Sequence, residues 1–193
     1  MPYSAAKSPS TEERVITQLL ETERLKLREA NIDDAPFMLQ LLTEPSWQRF
    51  IARHEIKTVD QACTYLQERI IPAYETGLGF WVIQLMSQNT AAGICGLVKR
   101  PFLEEVDLGF ALLEEHWGSG LAYEAALAVI AHAQEKLHLN KLQAITVPHN
   151  SASVKLLEKL GFTFKDHIKD EEGEELALYE QKLGKLPEIN LVR

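Results

Sequence analysis

The sequence predicts an α/β (α+β) fold, with about six to seven strands and about four helices around one core. Three observations lead there. Short stretches such as TERLKLRE (Thr22 to Glu29) alternate apolar and charged residues at the strand period of two. Other stretches open with side-chain caps and then keep apolar residues three and four apart, the helix period. The segment EEHWGSGLAYEAALAV (Glu114 to Val129) sets two glycines one residue apart before a run rich in alanine.

Taken in order, residues Met1 to Pro9 form a loose arm, and Ser10 to Glu13 carry the spacing of a capping box ahead of a brief helix or docking arm. TERLKLRE is the opening strand. NIDDAPFMLQLL follows with Asp residues at its cap and Pro36 near the first turn, so a helix runs to about Thr43. Thr58-Val59-Asp60-Gln61 is a second capping box, opening a helix to about Ile71, before Pro72. GFWVIQLM (Gly79 to Met86) and AAGICGLVKR (Ala91 to Arg100) flank the polar turn SQNT as a hairpin. EVDLGFALL (Glu105 to Leu113) is the strand that leads into the glycines, and KLQAITV (Lys141 to Val147) is a buried strand after the alanine helix. HNSASVKLLEKLGF is a helix capped by Asn150 or Ser151 and stopped at Gly161, with Phe162 placed to close a Schellman end. FTFKDHIKDEEGEELALYEQKL gives two strands around an acidic turn. The domain boundaries read as an arm over 1–21, one domain over 22–183 and a tail over 184–193.

Composition narrows the function. A hydrophobic share of 46% supports a sizeable core. The formal net charge of −8 leaves no basic excess to displace counterions, so no nucleic-acid partner is expected. An acidic chain attracts a cationic partner such as an amine. Cys63 and Cys95 have neither metal nor disulfide spacing and read as buried thiols in a reducing compartment. No apolar run has the length of a signal peptide core or a membrane span, so a soluble, cytoplasmic protein without a membrane partner is expected.

The glycine segment invites three readings as a phosphate site. A P-loop needs a Lys followed by Ser or Thr, which is absent here; a dinucleotide fingerprint needs a third glycine where Tyr123 stands. An ordinary tight turn competes with the remaining reading, an anion site at a helix start. Ala122, Ala125, Ala126, Ala128, Ala131 and Ala133 would let the helix lie close on a sheet, and Glu124 sits where a carboxylate favours the helix dipole. A second strand-to-helix corner, His149-Asn150-Ser151-Ala152-Ser153, lies downstream.

A short opening and two long motifs then add a resemblance. TERLKLRE is similar to a T-x-R-L-x-L-R opening, Trp117 to Ala125 satisfy W-G-x-G-x-A-x-E-A, and NSASVKLLEKLGF satisfies N-x-x-S-x-x-x-L-E-K-L-G-F. In these the chain, over about Thr22 to Leu183, resembles the GNAT superfamily of acyl-CoA-dependent N-acetyltransferases and its RimJ/RimL-like branch. The resemblance implies a mixed, mostly antiparallel central sheet, splayed at the coenzyme site. It implies acetyl-CoA as co-substrate, its diphosphate cradled by the backbone of Trp117, Gly118, Ser119, Gly120, Leu121 and Ala122. The pantetheine arm would pair near Leu112 and Leu113, and the thioester would lie close to Asn150 and Ser153.

For the chemistry, a backbone N–H near Leu112 would polarise the carbonyl, and by similarity Ser153 would protonate the leaving thiolate; the competing reading of Ser153 is a solvated first-turn residue. Asn150 is a cap, a contact to pantetheine or acceptor, or both. Asp107 is the candidate base, against the alternatives that it faces solvent across the pleat or that a water chain does the job instead. The histidines lack metal spacing, so no metal is expected. The acceptor is a small-molecule amine or a protein N-terminus, with loops around Glu44 to Ile56 and Asp166 to Glu175 setting the choice. A non-catalytic acyl-CoA-binding sensor is the alternative function, and the arm leaves room for a homodimer under either.

Overall fold

A computed structural model describes residues 20–51 and 55–184. Its eight strands are β1 (Leu20–Glu21), β2 (Leu25–Arg28), β3 (Gly79–Leu85), β4 (Thr90–Lys99), β5 (Val106–Leu112), β6 (Lys141–Thr146), β7 (Thr163–Lys169) and β8 (Glu175–Lys182). They form one sheet in the order β1-β2-β3-β4-β5-β6-β8-β7. Every neighbouring pair is antiparallel except β5 and β6, which are parallel. The α-helices are α1 (Ala35–Thr43), α2 (Pro45–Phe50), α3 (Val59–Tyr65), α4 (Leu121–Glu135) and α5 (Ser151–Lys159).

The mixed, mostly antiparallel sheet agrees with expectation, with two differences. The sheet gains β1, which pairs with β2 as Leu20↔Leu27 and Glu21↔Lys26. The segment expected to be an acceptor loop around Glu44 to Ile56 contains α2, which starts at Pro45, where the fixed φ of proline suits a first helical residue. The predicted helix within residues 10–20 lies outside the described residues, apart from Leu20 in β1.

Local chemistry explains the helix ends that the sequence marked. The Thr58 hydroxyl accepts from the N–H of Gln61, and the Gln61 side chain reaches back to the Thr58 N–H, a complete capping box. That helix continues past Tyr65 as a π-helical stretch, Leu66–Ile70, and a 3₁₀ stretch, Ile71–Thr76, ending at Gly77 with φ +76°. α5 ends in a Schellman motif: Phe162 N–H donates to Leu157 C=O, Gly161 N–H donates to Glu158 C=O, and Gly161 takes φ +92°. Phe162 and Leu157 are both buried in the same core.

Two apolar cores flank the sheet. α4 and α5 cover one face, where Ala125, Ala126, Val129, Ile130 and Ala133 of α4 meet Leu25, Leu27, Trp81, Cys95 and Leu108. Small side chains bring α4 close to β4 and β5. α1, α2 and α3 cover the opposite face, around Met38, Leu41, Leu42, Trp47, Val82, Ile94 and Leu113. Cys95 is fully buried, while Cys63 is only half-buried. Among the described residues no helix is long and apolar enough to cross a membrane.

Candidate active site at a fork between two strands

The site begins with a pairing that stops early. β5 and β6 run side by side, yet they pair at one position only, Asp107↔Gln143. Beyond it both continue, to Leu112 and Thr146, without pairing, so the sheet forks there. Registry then decides which backbone groups face the gap. Leu113 N–H donates to Ala92 C=O at 2.9 Å, and β4 pairs with β5 without a register shift. Antiparallel bonding alternates, so Asp107, Gly109, Ala111 and Leu113 turn their backbone groups to β4, while Phe110 and Leu112 turn theirs into the gap.

This divides the two leucines singled out in the sequence. Leu112 faces the fork. Leu113 does not: its N–H belongs to β4 and its side chain is buried against α1–α3. Phe110, which the sequence reading did not select, takes its place. The signal was the alternation of the strand itself, but only the register with β4 fixes its phase. The Trp117 indole is half-exposed and donates to Leu112 C=O at 3.0 Å.

The corner after β5 is built on two left-handed glycines, Gly118 at φ +71° and Gly120 at φ +81°. Gly120 is the N-cap of α4, and no side chain caps the helix. Among the described residues the N–H groups of Gly118, Ser119 and Gly120 meet no acceptor, and those of Leu121 and Ala122 are the unpaired donors of a first helical turn. With residues Trp117 to Gly120 exposed, these donors and the positive end of the helix dipole are open to an anion. The residues present therefore suit a diphosphate.

The corner after β6 has the opposite character. Asn150 Oδ1 accepts from Ser153 N–H at 3.2 Å and caps α5. Asn150 and Ser153 are both half-buried, and Ser151 is not the cap.

Asp107 lies at the apex of the fork and is 1% exposed, which removes the solvent-facing alternative. Arg100 Nε donates to its Oδ2 at 2.6 Å, while Oδ1 is buried without a hydrogen bond. Burial pushes its carboxyl above the ordinary carboxylate range; Arg100 and the nearby Ile145 amide of β6 pull the other way. Tyr65 of α3 is close enough to Arg100 and Arg69 to feel both charges.

α2 closes the wide end of the fork. Its Ser46 N–H donates to Glu114 Oε1 at 3.2 Å, just past β5, and Phe50 at its other end packs against His149, just past β6, with ring centroids 5.7 Å apart. The nearby Glu44 carboxyl is raised, by burial first and then by Glu114 and Glu115. Glu124, expected to serve the helix dipole, is instead engaged by Thr22 and Arg24 of the opening segment.

Comparison with known proteins agrees with this geometry. A sequence model described as "Acetyltransferase (GNAT) domain" matches residues 24–163. An uncharacterized N-acetyltransferase, p20, of Bacillus licheniformis is 27% identical over 176 residues, covering 89% of this chain and 93% of that protein. The ribosomal protein uS5-alanine N-acetyltransferase of Escherichia coli is 36% identical over 63 residues, 33% of this chain and 32% of its own length. The solved structure of RimL, a ribosomal L7/L12 α-N-protein acetyltransferase in complex with coenzyme A, superposes with a TM-score of 0.75 over 86% of this chain and 98% of that one. At 18% identity, that last likeness speaks for the fold.

Proposed function

The chain belongs to the GNAT acetyltransferase family and is an N-acetyltransferase, and we propose that it moves an acetyl group from acetyl-CoA to a primary amine by direct attack. The observation that carries this reading is the fork: one paired position at Asp107–Gln143, then two strands separating toward an uncapped helix start. The glycine corner supplies backbone donors for a diphosphate, and Phe110 and Leu112 supply the strand-like edge for the pantetheine arm.

Acyl transfer to an amine needs a neutral nucleophile, a polarised carbonyl and a protonated leaving group. A gap-facing N–H of Phe110 or Leu112 polarises the thioester carbonyl. The amine nitrogen forms the new C–N bond as the C–S bond breaks. Ser153, whose hydroxyl has no partner among the described residues, gives its proton to the departing sulfur and regains one, through water, from the newly acylated nitrogen. Asp107 is the final acceptor of the ammonium proton, reached through water. Its raised carboxyl strengthens it as a base, and Arg100 keeps it ionised. Asn150 caps α5 with Oδ1 and keeps its amide group for the pantetheine or acceptor.

The likeness to RimJ/RimL-type enzymes favours a protein N-terminal α-amine as acceptor, with a small-molecule amine second. α2 lies where that acceptor must pass. Thiol release from acetyl-CoA, measured over a panel of N-terminal peptides, polyamines, amino acids and aminoglycosides, tests the proposal. Release dependent on one amine class, with matching acetylated product, supports it. Tight CoA binding with no release over any amine would favour the acyl-CoA sensor instead.

A further inference from the structure

Three polar residues converge from distant parts of the chain beside the glycine corner. Thr22 Oγ1 donates to Glu124 Oε1 at 2.5 Å, and Arg24 N–H donates to the same oxygen at 2.9 Å. The Arg24 guanidinium grips Glu124 Oε2 through Nε at 2.7 Å and Nη2 at 2.6 Å. Its remaining nitrogen, Nη1, donates to the Ser119 carbonyl at 3.0 Å. One side chain thus ties the first turn of α4 to the loop between the two left-handed glycines.

Two consequences follow from elementary geometry and charge. In a trans peptide the C=O and N–H point in opposite directions, so drawing the Ser119 carbonyl toward Arg24 turns the Gly120 N–H the other way. The carbonyl is thereby kept from an incoming anion. Glu124 also stands in the first turn of a helix whose start would receive a diphosphate, where a free carboxylate would repel it. Against burial, which pushes it up, Thr22 and then Arg24 hold the Glu124 carboxyl below its ordinary range, and the guanidinium cancels its charge.

We propose that Arg24 is the positioning residue of the coenzyme corner: anchored on Glu124, it fixes the Ser119–Gly120 peptide and neutralises the one carboxylate in the first turn of α4. This rests on the corner being the CoA site. A merely structural tie between the opening strand and α4 would affect folding and leave coenzyme affinity alone.

The test is calorimetry with CoA on the full chain, together with KM and kcat for acetyl-CoA and the thermal midpoint. Arg24→Gln should weaken CoA binding and raise KM by about tenfold or more, the scale of one charge-assisted hydrogen bond, with kcat within about twofold. Arg24→Gln combined with Glu124→Gln should regain part of that loss, because the stranded carboxylate is gone. Arg24→Lys, which keeps the charge without the fork, should fall between and serves if Arg24→Gln fails to fold. Folded Arg24 variants that bind CoA like the wild type, whatever their midpoint, overturn the proposal. A wild-type chain that does not bind CoA would overturn the corner as the coenzyme site, and Arg24's role with it.

Discussion

The two strand-to-helix corners at the fork are made from opposite materials. After β6, Asn150 places a side-chain oxygen on the Ser153 N–H, so a donor of that helix start is satisfied from within. After β5, Gly120 has no side chain to offer, and the donors of α4 stay open. The first arrangement stabilises a helix; the second stores capacity for a ligand. A glycine at an N-cap is thus informative when nothing else satisfies the turn.

Five substitutions break or sharpen that contrast, beginning with the largest expected effect. Gly120→Val should abolish CoA binding in a protein that still folds. The left-handed conformation alone costs an L-residue about 1–2 kcal/mol, and the added Cβ would stand 3.5 Å from Arg24 Nη2, so a β-branched side chain would crowd that guanidinium. Unchanged affinity by calorimetry would remove this corner from coenzyme binding. Gly118→Ala sharpens the point. Space is open around its Cβ, yet φ is +71°, so the methyl group fits while the backbone strains, and a smaller loss of affinity is expected.

Ser153→Ala asks whether the capped corner also takes part in the chemistry. Removing a positioned donor lowers kcat by about 10²–10³-fold. At saturating acetyl-CoA, a loss on that scale with a preserved midpoint supports the proton-donor role, because alanine is a good helix former and the Asn150 cap accepts from the backbone. Equal rates would end that role.

Asp107→Asn tests the apex between the corners. Turnover should fall by about a hundredfold, with CoA affinity nearly unchanged. The carboxyl is raised, so the ionised base is present above that raised pKa and is lost as pH falls through it. The wild-type rate should therefore decline at a pH above the ordinary Asp range, and the Asn variant should lack that component. A variant matching the wild type across the whole pH profile would make Asp107 structural.

Asn150→Ala converts the capped corner toward the uncapped kind. Loss of the cap costs about 1 kcal/mol, a midpoint shift of about 2–4 °C for a domain of this size. An unchanged midpoint would mean that the Asn150 oxygen serves ligand more than helix.

Much of this was legible in the chain. Capping boxes, the Schellman end at Gly161–Phe162 and the hairpin around SQNT are local, and each is fixed by residues within a few positions of one another. The glycines before α4 are legible for the same reason: a left-handed cap needs glycine wherever it sits. α2 was missed because its six residues have too few turns to display a period, and the buried Trp47 anchors it in the core beneath α1 and α3.

What the sequence determined by itself is the inventory: which segments alternate, which are capped, and where glycine permits a bare helix start. The tertiary structure decided the phase and the partners. Leu112 and Leu113 are equivalent as letters, and only pairing with β4 turns one into the fork and the other away. Asp107 could have faced water until the β5–β6 pair and Arg100 enclosed it. Glu124 reads as a carboxylate at a helix start until Thr22 and Arg24, about a hundred residues earlier, arrive to hold it. The physical reason is range: caps and turns are closed by neighbours in sequence, whereas strand register and ion pairs between distant segments exist only once the sheet has assembled.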